Sequence, residues 1–189
     1  MVTFKFPPKA QFWLGNMYRM GQSVPQDYIA AIKWLRKAAH QGDADAQFEL
    51  GRIFRKGKGV PQDYIAAIKW LRKAADQGHA DAQFVLGTMY HMGKSVPQDY
   101  IEAVRWYRKA ADQGNPFGQS ILGAMYNKGQ GVPQDFILAH MWFDLAAAQG
   151  NLLAQKGREE VARKMTPDQI AEAQWLAREW KPKGGEGSH

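Results

Sequence analysis

Asp27, Asp63, Asp99 and Asp135 stand 36 residues apart. Evenly spaced carboxylates of this kind could form a line of catalytic general acids and bases. Each of these, however, sits in the same words: Val-Pro-Gln-Asp-Tyr-Ile three times and Val-Pro-Gln-Asp-Phe-Ile the fourth. An Asp just after Pro-Gln and just before an apolar helical pattern is placed to accept a backbone N–H as a helix N-cap, and capping accounts for all four. The histidines His40, His79, His91 and His140 have no metal-ligand spacing. His140 precedes Met141-Trp142 and reads as a packed or capping residue. The sequence contains no phosphate loop, Ser-centred nucleophile motif or carboxylate dyad. It also contains no cysteine, which removes thiolate nucleophiles, disulfides and Cys-based zinc sites together. The reading is of a chain that is not an enzyme and has no catalytic, cofactor or metal residues. Contact, not chemistry, is the expected activity.

The elements that carry these residues follow the same ruler. Trp34, Trp70, Trp106 and Trp142 share the 36-residue interval, and so does a Leu-Gly pair at Leu14, Leu50, Leu86 and Leu122. A fixed period of this length means stacked units that offer an extended surface. Residues 46–81 show how a unit is built. Ala46, Leu50, Ile53 and Phe54 fall at helical spacing, and Gly57 reads as the stop of that first helix. Pro61 forbids easy continuation. Asp63 then caps a second helix, from Tyr64 to about Gln77, carrying Ile65, Ile68, Leu71 and Ala75 at threes and fours. Gly78 stops it. The Trp residues read as core wedges, each worth roughly 2–3 kcal/mol on burial. Gly15, Gly51, Gly87 and Gly123 cost helix propensity mid-helix, so their recurrence predicts close helix approach. The units are expected over 9–45, 46–81, 82–117 and 118–153, after a lead-in over 1–8. The first two agree at 27 of 36 aligned positions, which points to recent duplication or to consensus design.

These residues match a known pattern. Ala82, Leu86-Gly87, Tyr90, Gly93, Val96, Asp99, Ala103, Trp106, Ala110-Ala111 and Gly114 together resemble the Sel-1-like repeat, a relative of the tetratricopeptide repeat. Phe54 in place of Tyr and Gly118 in place of the leading Ala are the departures. Lacking cysteine, the chain falls outside the bacterial subgroup that carries a Cys pair in each repeat. The resemblance implies an all-α, right-handed superhelical solenoid of four helix-turn-helix repeats, with first helices lining a concave face and second helices a convex one. It also implies a scaffold or adaptor that binds protein or peptide. An envelope or secreted interaction factor and a designed solenoid without a native partner stand as alternatives.

Repeat four departs from the pattern. The first three second helices carry Lys33, Arg36 and Lys37; Lys69, Arg72 and Lys73; and Arg105, Arg108 and Lys109. Their counterparts in the fourth are Met141, Asp144 and Leu145, and Glu102 gives way to Leu138. The apolar stripe Leu138, Met141 and Leu145 requires a cover. Residues 154–165 read as a further first helix. Thr166-Pro167-Asp168-Gln169 then starts another with a capping box, running to Trp180 with Ile170, Ala173, Ala177 and Trp180 on one face. Helices over 154–180 are expected to cap the stack and leave a monomer, a homodimer through the same stripe being the rival. A disordered, Gly-rich tail is expected over 181–189.

The net charge of +7 raises the question of an acidic partner. The basic residues of the second helices form a ridge, read first as a solvated face whose long side chains cover apolar neighbours. No aromatic or Gly-rich nucleic-acid motif accompanies the charge, which disfavours nucleic acid. No apolar run is long enough to span a membrane, and no secretory signal opens the chain. The expected compartment is therefore cytoplasmic for the sequence as it stands, or periplasmic or secreted if a signal has been removed. The better binding surface is the concave one. By analogy with tetratricopeptide geometry it is formed by Phe12, Asn16, Arg19 and Met20; Phe48, Arg52, Arg55 and Lys56; Phe84, Thr88, His91 and Met92; and Ser120, Asn127 and Lys128. Aromatic and Met area beside Arg donors suits an extended or helical peptide segment with some acidic character.

Overall fold

The computed structural model describes residues 6–183. Of the lead-in and tail expected from the sequence, residues 1–5 and 184–189 lie outside the described residues. The rest is helical: α1 Pro8–Met20, α2 Tyr28–His40, α3 Ala44–Lys56, α4 Tyr64–Asp76, α5 Ala80–Met92, α6 Tyr100–Asp112, α7 Pro116–Lys128, α8 Phe136–Ala148, α9 Leu152–Ala162 and α10 Pro167–Glu179. The architecture is all-α, a run of helix-turn-helix repeats.

The periodic aspartates start α2, α4, α6 and α8. Asp63 Oδ1 accepts from Ala66 N at 2.9 Å, and Asp99 and Asp135 accept from Glu102 N and Leu138 N at the same distance. Gly57 ends α3 at φ +65°, a conformation that costs a side chain about 1–2 kcal/mol and glycine nothing. The first helices begin two residues earlier than the apolar spacing suggests, because their caps come from a position the periodicity does not mark. Asp43 accepts from Ala46 N at 2.8 Å, Asn115 from Gly118 N at 2.9 Å and Asn151 from Ala154 N at 3.0 Å. His79 takes the same place, its Nδ1 accepting from Ala82 N at 3.3 Å.

The chain divides into two compact units, Met1–Ala82 and Gln83–His189, with the boundary in the first turn of α5. In the first, α2 packs on α1 and α3, and α3 on α4, around Ile32, Leu35, Leu50, Ile53, Phe54 and Trp70. The close approach comes at glycine: a Cβ on Gly51 would lie 2.6 Å from Leu71 Cγ. In the second unit α7 packs between α6 and α8, and α8 against α9 and α10, around Tyr107, Leu122, Met125, Trp142, Phe143 and Val161.

A glutamine ladder joins each pair of helices. Gln11, Gln47, Gln83 and Gln119 are buried in the first helices. Each accepts a bond from the Gln that ends the paired second helix: Gln41, Gln77, Gln113 and Gln149, at 2.7–2.9 Å. Buried amides are tolerated because they are paired; an unpaired one costs about 1–3 kcal/mol.

At the end of the chain, Thr166 and Gln169 exchange the two bonds of a capping box, at 2.9 and 3.3 Å. The α10 face carries Leu176, Ala177 and Trp180 onto the core cluster that includes Met141 and Trp142. Trp180 stands edge-on to Trp142 with centroids 6.1 Å apart.

Candidate partner-binding surface

The first helices α1, α3, α5 and α7 carry residues of two kinds. Leu50, Leu86 and Leu122 are fully buried at identical positions. The positions that face away from the second helices differ from one repeat to the next, and each unit puts them together differently.

In the first unit they converge on charge. Asn16 lies below the surface, 6% exposed, and its Oδ1 accepts from Arg19 Nε at 2.9 Å. Arg19 also faces Glu49 of α3, Nε to Oε2 3.4 Å. Glu49, 8% exposed, accepts from Arg52 Nη1 at 2.8 Å. The Arg52 guanidinium lies over the Phe48 ring at 5.6 Å, and Phe48 stacks on His79 at 4.4 Å. Asn16, Arg19, Phe48 and Arg52 are thus one connected group, centred on a carboxylate. Arg55 is half-buried and Lys56 exposed beside it. Arg52 foremost, then burial, then Arg55 and Lys58 push the Lys56 ammonium below its ordinary range. A cleft here is lined by Arg19, Tyr28, Glu49, Arg52, Ile53, Lys56 and Lys58. Phe12 stands apart from this group, tilted on Trp13 at 5.6 Å with Lys9 over its ring, and Met20 is exposed.

In the second unit they converge on a tyrosine. Phe84 packs at 5.8 Å from both Tyr107 and the exposed ring of Phe117. Thr88 Oγ1 donates to the Phe84 carbonyl at 3.0 Å and accepts from the Tyr107 hydroxyl at 3.3 Å. His91 Nδ1 lies 3.5 Å from the same hydroxyl. Burial pushes the Tyr107 phenol up to about 12, and burial, aided by Lys128, pushes His91 down. Met92 is 58% exposed. Ser120 is buried, Lys128 is exposed, and Asn127 Oδ1 accepts from Lys164 Nζ of the α9–α10 turn at 3.3 Å.

Sequence reasoning missed Glu49, Tyr107 and Lys164. The first two leave a trace. Glu49 stands where the other repeats have Trp13, Val85 and Ile121, and Tyr107 where they have Leu35, Leu71 and Phe143. A charge or hydroxyl at an otherwise apolar position is the available signal. Lys164 leaves none, because it lies beyond the repeats.

The basic second-helix residues are largely engaged. Lys37 lies 4.2 Å over Trp34, Lys73 5.0 Å over Trp70 and Lys109 4.3 Å over Trp106. Arg36 covers Phe54 at 5.7 Å, and Arg108 covers Tyr126 and donates to its hydroxyl. Among the described residues no group of three or more His, Asp or Glu is placed to hold a metal ion, and no helix is long and apolar enough to cross a membrane.

The comparisons with known proteins agree on the architecture. The family model described as Sel1 repeat matches residues 8–43, 44–79, 80–115 and 116–151. The crystal structure of a Sel1 repeat protein from Oxalobacter formigenes is 42% identical, with a TM-score of 0.77, over 82% of this chain and 44% of that one. The protective antigen c5321 of uropathogenic Escherichia coli, which displays an SLR fold, is 31% identical, with a TM-score of 0.62, over 92% of this chain and 45% of that one. Helicobacter pylori cysteine-rich protein B is 26% identical, with a TM-score of 0.53, over 66% of this chain and 95% of that one. The chain thus spans less than half the length of the first two. No curated protein matches it.

Proposed function

Because the chain belongs to the Sel1-repeat family, whose members are generally non-catalytic scaffolds for protein–protein interaction, we propose that it binds a protein or peptide partner through the exposed faces of its first helices. The observation that carries the reading is the contrast within those helices. The Leu and Gly positions repeat without change, whereas Asn16, Arg52 and Thr88 occupy one register position, and Met20, Lys56, Met92 and Lys128 another. The second helices are a weaker candidate, since their long cations already lie over Trp, Phe and Tyr rings. On the first helices Arg52 lies over a ring as well, but Met20, Met92, Lys56 and Lys128 stand exposed. Phe48, Phe84 and Met92 supply apolar area; Arg19, Arg52 and Arg55 supply donors suited to carboxylates.

Site-specific photo-crosslinking tests this. A benzophenone amino acid is placed at Phe48, Phe84 or Met92 and, as the control face, at Ile65 or Ile101, which are more exposed than any of the three. Discrete crosslinked products from the first-helix positions alone are expected. Products from Ile65 and Ile101 alone would refute the assignment of the face.

A further inference from the structure

We infer that the cleft of the first unit is a carboxylate seat for an acidic peptide segment, occupied at one end by the chain's own Glu49. The inference rests on the first-helix binding proposed above and names the ligand chemistry of that surface. Arg19, Arg52, Lys56 and Lys58 line the cleft, against the single carboxylate of Glu49. Glu49 demonstrates what the seat accepts: one carboxylate held between two guanidiniums, at 2.8 and 3.4 Å, from two different helices. It leaves most of the donors of Arg52 unspent, since a guanidinium offers five.

The bland explanation is that cations gather at the C-terminus of α3 to complement its dipole. That covers Arg55 and Lys56. Arg19 likewise stands in the last turn of α1, but the dipole of its own helix does not account for its turning to Glu49 of α3. Nor is the cluster a by-product of the repeat: the counterparts of Glu49, Arg52 and Lys56 are Val85, Thr88 and Met92 in the third repeat and Ile121, Ala124 and Lys128 in the fourth. Arg52 foremost, then burial, then Arg55 and Lys58 depress the Lys56 ammonium, and Glu49 offsets them only in part. An incoming anion relieves that depression. Tyr28 and Ile53 give the cleft apolar walls for the methylenes of a Glu side chain, and Lys58 is braced over the Tyr28 ring at 5.9 Å. Consecutive carboxylates along an extended segment match cations spread from Arg19 to Lys58.

The test uses the full chain and a fluorescein-labelled hexaglutamate peptide, read by fluorescence anisotropy at low salt. Binding is expected to weaken about tenfold in a Lys56→Ala, Lys58→Ala double variant. A Lys33→Ala, Lys69→Ala variant, which removes the same charge from the second helices, should stay within about twofold. Glu49→Gln, checked for native helicity by circular dichroism, should tighten binding several-fold by vacating the seat. If it fails to fold, the contrast between the two lysine pairs decides. No hexaglutamate binding, or an equal loss in both lysine variants, overturns the seat. Crosslinks from Phe48 that persist alongside either result would leave first-helix binding standing and remove only its acidic chemistry.

Discussion

Helices α6 and α8 occupy the same place in successive repeats and solve the same problem in opposite ways. Each presents a Trp whose outer face must be covered. On α6, Lys109 lies over Trp106 at 4.3 Å and keeps its ammonium in water. On α8 the Lys position is Leu145, and the cover is Trp180. The second basic position inverts as well: Arg108 donates to Tyr126 of α7, whereas Asp144 pairs with Arg158 of α9. A lysine cover suits a helix whose outer face stays in solvent, and an aromatic cover suits one on which another helix lies. A few substitutions on one register therefore change a helix face from solvated to packed.

Breaking the comparison at its centre has the largest effect. Trp106→Ala and Trp142→Ala should each cost about 3–5 kcal/mol, because both indoles are buried and their removal leaves cavities. Urea midpoints at unchanged slope measure this; a loss below about 1 kcal/mol at either site would mean the wedge is not structural. Removing the covers separates the two helices. Trp180→Ala is expected to cost about 2 kcal/mol of apolar burial. Ending the chain before Thr166 should leave Leu138, Met141 and Leu145 less covered, and light scattering should then show dimers or larger species that the full chain does not form. A truncated chain that stays monomeric would show that the stripe needs no cover. Lys109→Ala should cost only about 0.5–1 kcal/mol, the worth of an exposed cation–π contact.

The repeat architecture was legible because backbone-determined features recur in the sequence. Asp63 and Gly57 announce a helix start and stop through capping chemistry that depends on a few neighbouring residues, and Gly51 announces close approach because only a missing Cβ fits against Leu71. The start of α3 was misplaced because Asp43 lies outside the apolar periodicity. The surface was less legible. Asn16 fits the groove register, yet its amide turns inward to Arg19, a choice made by a neighbour rather than by local sequence. Arg52 reads as a free donor until Glu49 is found three residues back on the same helix. The glutamine ladder went unread for another reason. Gln11 and Gln41 are 30 residues apart, and nothing in either one's surroundings names the other as partner.

The smallest expected effect sharpens the α6–α8 contrast at one more register position, where Ile32, Ile68 and Val104 are followed by His140. His140 is buried, and its Nδ1 has no hydrogen-bond partner among the described residues. Burial, and less strongly Arg158, push its pKa down, while Asp144 opposes them. In the folded chain the ring therefore stays neutral at pH values where the unfolded chain protonates it. The unfolded state binds more protons in the window below about pH 6.5, so stability rises with pH there and is lost as pH falls through that value toward the lower folded one. His91 is shifted in the same direction, so it adds to the loss. The urea midpoint of the native chain should fall as pH is lowered from about 7.5 to about 5.5, and His140→Gln should flatten that fall without abolishing it. A His140→Gln profile parallel to the native one would remove His140 as a source of the dependence and leave His91. A flattened profile would make α8 a helix whose packing responds to protons at a position where α6, with Val104, has nothing to titrate.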